Sequence, residues 1–154
     1  MKKIIIVCLT VLMVLSLCGC SKTEEEPKDD GTKQITVTLN DMTMVLPVGF
    51  VEMKEGSFFY EDIGQTVNIY CGERQFDTIE EEVADIYPEG ETTYTEVCGY
   101  ETAVTQWSEM NDLGIAMHYR AYAIFKDNDI YEITFVYPLE ECVDTEVIGN
   151  LTFS

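Results

Sequence analysis

Positive charge is the scarcest property of this chain: 9 Lys or Arg and one His stand against 29 Asp or Glu over 154 residues, a formal net charge of −20. So acidic a balance repels phosphate backbones, and nucleic-acid binding, which depends on Lys and Arg neutralising phosphates, is excluded as a function class. Anionic lipid headgroups are repelled as well, so residence at a membrane requires a hydrophobic anchor. His118 is the sole histidine, and any His-dependent triad or His-rich metal centre must use it or fail. The chain has no phosphate-binding glycine loop, no HExxH helix and no dinucleotide fingerprint, and no cofactor is expected.

Long hydrophobic runs are also missing. The apolar stretch Ile4 to Leu17 spans 14 residues behind the basic pair Lys2-Lys3, short of the ~20 a membrane-spanning helix needs, and reads as a signal peptide. It runs into Leu17-Cys18-Gly19-Cys20, which resembles a lipobox: an aliphatic residue, a small one, Gly, then the cysteine that is lipidated. The resemblance implies cleavage before Cys20 and a diacylglyceryl group on it, which holds a bilayer firmly where one acyl chain binds only marginally. Residues 21–33 are polar, charged and free of large apolar side chains, the composition of a disordered tether reaching at most about 45 Å. The expected organisation is a leader over 1–19, a lipidated Cys20 with an acidic tether over 20–33, and one globular domain over 34–154. Past the leader, 7 Lys or Arg face 29 Asp or Glu, a formal charge of −22, and the lipid is the evident route to the outer face of a bacterial membrane.

The remainder is built to fold, with 46% hydrophobic residues and sixteen Phe or Tyr in the whole chain. Ile35, Val37 and Leu39 alternate with polar residues, as do Met42, Met44 and Leu46. A two-residue turn at Asn40-Asp41 pairs Leu39 with Met42, Val37 with Met44 and Ile35 with Leu46, all on one face. Gly56–Tyr60 and Thr66–Cys71 read as a second strand pair turning near Gly64. Asp77-Thr78-Ile79-Glu80 looks like a capping box, and Ile79, Val83, Ile86 and Tyr87 form one helical stripe that Pro88 and Gly90 end. The acidic residues Asp77, Glu80, Glu81 and Glu82 suit the positive end of that helix.

Further strands are expected near Thr92–Val97, Tyr100–Ser108, Ile115–Phe125 and Ile130–Tyr137, then a helix around Cys142–Gly149. For the last strand pair a three-residue loop, Asp127-Asn128-Asp129, is expected, because it opposes Phe125 to Tyr131 and puts the two apolar sets on one face. That loop lacks the Gly and distal Glu of a calcium-binding loop. Strands, helix, strands, helix is the order of an α+β fold, an antiparallel sheet with helices packed on it.

Residues 34–154 resemble the PsbP-like fold, an α/β/α sandwich. The carriers are the opening hairpin running into Leu46-Pro47-Val48-Gly49-Phe50, the helix ending at Pro88, Val97-Cys98-Gly99-Tyr100-Glu101-Thr102-Ala103 as a glycine turn between strands, and the ending Ile148-Gly149-Asn150-Leu151-Thr152-Phe153. Asn150 stands where the family commonly has serine. A cystatin-like or nuclear-transport-factor-like sheet is the other architecture compatible with this order. The PsbP resemblance implies a protein that acts by binding, commonly as an accessory subunit, and no active-site residue carries over.

Chemistry-bearing residues are sparse. His118 shares a strand face with Arg120 and Tyr122, opposite Met117 and Tyr119, and these three are the candidate ligand-binding residues. Cys71, Cys98 and Cys142 are an odd number past the anchor, so at most one bridge forms among them within a chain, with Cys71–Cys98 the candidate pair. Their scattered spacing lacks the close pairing of a zinc site, and no metal site is assigned. Tyr119, Tyr122, Tyr131, Tyr137 and Trp107 either line a carbohydrate or peptide groove or fill the sheet core.

The expected function is that of a lipid-anchored, extracytoplasmic, non-enzymatic binding or accessory protein of the cell envelope. Its partners are the membrane, through Cys20, and an envelope protein. Two alternatives stay open: a small hydrolase using His118 with a nearby carboxylate, and an acidic cation-binding protein.

Overall fold

Alternation sets the first hairpin. In the computed structural model, which describes residues 33–139 and 141–154, β1 (Ile35–Leu39) and β2 (Met42–Leu46) pair antiparallel, Leu39 opposite Met42, Val37 opposite Met44 and Ile35 opposite Leu46. This is the expected register. Asn40 turns the chain at φ 53°, a left-handed conformation that Asn tolerates because its short amide bonds locally. Met42, Met44 and Leu46 are fully buried. The short β10 (Thr152–Phe153) joins the other edge of β2, making a three-stranded sheet in the order β1-β2-β10. The leader, Cys20 and all of the tether except Lys33 lie outside the described residues.

A seven-stranded antiparallel sheet carries the rest: β3 (Phe50–Lys54), β4 (Ser57–Tyr60), β5 (Gln65–Glu73), β6 (Glu91–Val97), β7 (Tyr100–Met110), β8 (Ala116–Lys126) and β9 (Asp129–Tyr137). Its spatial order is β3-β4-β5-β9-β8-β7-β6. Strand β3 was not expected, since Phe50-Val51-Glu52-Met53-Lys54 carries one inward apolar residue before a register shift against β4.

The β8–β9 connection corrects the expected three-residue loop. Lys126 pairs with Asp129 across the two-residue turn Asp127-Asn128, so Phe125 opposes Ile130 and Ala121 opposes Thr134. The two apolar sets do lie on opposite faces of the sheet, because both faces are covered. On one, Val67, Ile69, Ile124, Tyr131, Ile133 and Phe135 pack under the three-stranded sheet. On the other, Ala103, Ala123, Phe125 and Ile130 pack under a helix.

That helix, α1 (Ile79–Ile86), begins one residue later than the expected box: Thr78 is the N-cap, and its hydroxyl accepts the Glu81 N–H at 3.3 Å. Ile79 and Val83 are buried against the sheet, worth about 1.5–3 kcal/mol each. Glu82 does more than face the helix dipole. It is 4% exposed, and its Oε2 accepts the backbone N–H groups of Gln75 at 2.8 Å and Phe76 at 2.9 Å, which folds the loop after β5 back onto the helix. The second helix, α2 (Asp144–Gly149), buries Asp144 and Val147. The result is α+β: an antiparallel sheet with a helix on one face, and a small sheet and a second helix on the other. Among the described residues no helix is long and apolar enough to cross a membrane.

Candidate binding site

The period of two along β8 places His118, Arg120 and Tyr122 on the face opposite Ala121 and Ala123, as expected, and the structure gives each a different environment. Asp144, the first residue of α2, is 2% exposed. Its Oδ2 accepts hydrogen bonds from Arg120 Nη1 at 2.7 Å and from Tyr122 Oη at 2.5 Å. Burial alone would raise the Asp144 pKa, but the hydrogen bonds from Tyr122 and Arg120 and the guanidinium charge outweigh it and hold the carboxyl below its ordinary value. Tyr122 is shifted the other way, by burial first and by the Asp144 carboxylate second. Burial, with Asp144 close by, pushes the neighbouring Cys142 thiol up to about 12.

Arg120 and Tyr122 are therefore committed to pinning α2 onto the sheet. Arg120 Nη2 reaches Gln106 Oε1 at 3.4 Å, and its Nε is buried with no hydrogen-bond partner among the described residues.

His118 stands apart from that pair. Its Nδ1 lies 2.8 Å from Ser108 Oγ, directly across the β7–β8 pairing, and its ring packs at 5.7 Å on Tyr137. Ser108 was missed in the sequence. The signal was the loop former Asn111, whose Oδ1 accepts the N–H groups of Leu113 and Ile115 at 3.0 and 2.9 Å and so fixes a hairpin register that sets Ser108 opposite His118. A Ser-His pair acts as a nucleophile and base when a carboxylate orients the second ring nitrogen. Among the described residues His118 has no hydrogen bond to a carboxylate.

One further expectation is corrected. Cys71 and Cys98 are free thiols, as is Cys142. Cys71 lies in β5 while Cys98 lies in the β6–β7 turn, and both β9 and β8 stand between β5 and β7; at about 4.8 Å per strand that exceeds the ~7 Å Cα limit for a disulfide. Cys71 Sγ instead accepts from Asn40 at 3.2 Å, and Cys98 Sγ donates to the Leu151 carbonyl at 3.0 Å. The five aromatics do not share one groove. Tyr122, Tyr131 and Tyr137 belong to the core under the three-stranded sheet, whereas Trp107 and Tyr119 stack on each other at 4.8 Å on the α1 side. Among the described residues, no group of three or more His, Cys, Asp or Glu is arranged to hold a metal ion.

No protein-family model and no curated protein sequence matches the chain. Solved structures do match in fold. A protein from Bacteroides thetaiotaomicron aligns with a TM-score of 0.57 and 17% identity over 80% of this chain, which spans about half, 49%, of that one. The Ran-binding protein Mog1p of Saccharomyces cerevisiae aligns at 0.55 with 13% identity, covering 79% of this chain and 96% of that one. The cyanobacterial PsbP, CyanoP, of Synechocystis sp. PCC 6803 aligns at 0.50 with 10% identity over 79% of this chain and 92% of that one. The domain is thus similar in architecture to PsbP and Mog1p, an α+β fold of mostly antiparallel sheet.

Proposed function

We propose that this chain is an extracytoplasmic lipoprotein, held to the membrane by a diacylglyceryl group on Cys20, whose PsbP-like domain is a non-enzymatic binding or accessory module of the cell envelope. The carrying observation is the fold it shares with almost the whole length of a Ran-binding protein. The polar row on β8 supports the same reading, because Arg120 and Tyr122 hold α2 in place instead of facing a substrate. The anchor rests on Leu17-Cys18-Gly19-Cys20 and on the acidity of the chain past that cysteine. Replacing Cys20 with Ala releases the protein or leaves an unprocessed precursor, read by fractionation and intact mass; retention of a mature-length form in the membrane would refute the anchor. Capture from detergent-solubilised native membranes tests the binding role, and failure to retain any partner counts against it.

A second reading, a small hydrolase using His118, has one observation in its favour, the 2.8 Å contact between Ser108 and His118. It requires turnover by the purified protein that both His118→Ala and Ser108→Ala abolish.

A further inference from the structure

A groove lies away from the β8 polar row, on the α1 side of the sheet. It encloses about 530 Å³ where the chain leaves α1 and crosses the end of β7, between Tyr87-Pro88-Glu89-Gly90 on one wall and Trp107 and Glu109 on the other, within the size range of binding pockets. Sequence and packing build it together. Pro88 stops the helix, the Gly90 N–H bonds to the Tyr87 carbonyl at 3.1 Å, and a Cβ on Gly90 would come within 2.1 Å of Thr105 Cγ2. Glycine lets the turn lie directly on the sheet.

The aromatic wall is preset. Tyr87 packs on Trp107 at 5.1 Å, Tyr119 stacks on Trp107 at 4.8 Å with the rings 9° from parallel, and Tyr87 Oη donates to Glu132 Oε2 at 2.7 Å. Burial and the Glu132 carboxylate keep that phenol protonated and donating. Rigid aromatic side chains offer contact area at low entropic cost.

Charge selects the occupant. Glu89 and Glu109, both exposed, stand at the mouth, and among the described residues no Lys, Arg or His lines the groove. Anions are repelled. A neutral sugar draws no electrostatic attraction from the two carboxylates at the mouth. A Lys or Arg side chain fits on both counts: its charge meets the two carboxylates, and its cation and methylene stem meet the aromatic surface, an attraction worth about 0.5–2 kcal/mol for a cation over Trp or Tyr. We propose that the groove formed by Tyr87, Trp107, Glu89 and Glu109 is a docking site for a Lys- or Arg-bearing segment of a partner protein. This deepens the binding reading and rests on it.

Trp107 is the one tryptophan of the chain, so its fluorescence reports on this groove alone. In the full-length chain in nonionic micelles, a hexa-arginine peptide is expected to give a saturable Trp107 fluorescence change that weakens as ionic strength rises. A hexaserine peptide and maltohexaose are expected to give none. Glu89→Gln with Glu109→Gln weakens the peptide at least tenfold without moving the melting temperature; the charge-matched pair Glu61→Gln with Asp62→Asn, in the β4–β5 turn, leaves it within twofold. Equal weakening by the two pairs, the absence of a saturable signal, or a signal from maltohexaose would each overturn the site. Capture from native membranes separates the two levels of the proposal. A partner retained equally by the wild type and by the Glu89/Glu109 pair overturns the groove and leaves the binding role standing, whereas a wild type that retains none removes the binding role as well.

Discussion

Arg120 Nη1 donates to Asp144 Oδ2 at 2.7 Å, and the carboxylate that receives it is 98% buried while the guanidinium keeps a quarter of its surface. An ion pair so unequally solvated is a joint whose loss is costly, since either half alone strands a desolvated charge. Asp144→Ala should lower stability by about 3–5 kcal/mol, measured as a shift of the urea midpoint. Replacing the cluster together, Arg120→Met, Tyr122→Phe and Asp144→Leu, should recover most of that loss. A triple variant as unstable as the single one would show that the pair does more than hold α2.

The same carboxylate sets the acid limb of the stability curve. Its folded pKa lies below its ordinary value, because hydrogen bonds from Tyr122 and Arg120 outweigh the upward push of burial, and the unfolded value is about 3.9. A depressed carboxylate contributes in full above the unfolded pKa and loses that contribution as pH falls through the folded one. Asp41, held down by hydrogen bonds from Lys126 and Tyr131, acts in the same direction. Asp144→Asn is therefore expected to be much less stable than wild type at pH 7, with the gap narrowing below about pH 4. Urea midpoints at pH 7, 4 and 2.5 check this; a constant gap would contradict it.

What the sequence could reveal of this fold depended on how many faces of each strand are covered. The β1–β2 register was legible because one face alone of that hairpin is buried, so Ile35, Val37 and Leu39 alternate cleanly. β8 and β9 are covered on both sides, and Ala123 and Phe125 answer to α1 while Tyr131, Ile133 and Phe135 answer to the small sheet. Insisting on one apolar face there forces a loop one residue too long. The grouping of His118, Arg120 and Tyr122 followed from the strand period. Their partners did not, because Asp144 is 24 residues from Arg120 and 22 from Tyr122, and no local pattern encodes such a contact. The groove was hidden for the same reason, since Tyr87 and Trp107 meet only when α1 lies across β7.

The three free thiols among the described residues should differ sharply in reactivity. Cys98 is exposed, whereas Cys71 and Cys142 are half-buried. Burial raises the Cys142 pKa to about 12 and raises that of Cys71 as well, and only the thiolate attacks. Timed alkylation at pH 8 followed by peptide mass analysis should label Cys98 first and Cys142 only on unfolding. A Cys71–Cys98 disulfide in the non-reduced protein would contradict the separation of their strands.

Gly49 is a backbone position that resists any side chain. It sits at φ +111°, and a Cβ there would come within 2.3 Å of the Tyr60 ring. That ring has no easy retreat, because it packs edge-on against the fully buried Phe50 at 5.3 Å. Gly49→Ala therefore combines left-handed strain, about 1–3 kcal/mol, with displacement of an aromatic pair that ties β3 to β4. Val48, one residue away and half exposed, is the internal control, since Val48→Ala removes little buried surface. The expected result is a urea midpoint strongly lowered by Gly49→Ala and almost unmoved by Val48→Ala. Pairing Gly49→Ala with Tyr60→Ala should cost less than the sum of the two single changes, since Tyr60→Ala removes the ring that the new Cβ would strike. Strict additivity would place the strain in the backbone alone.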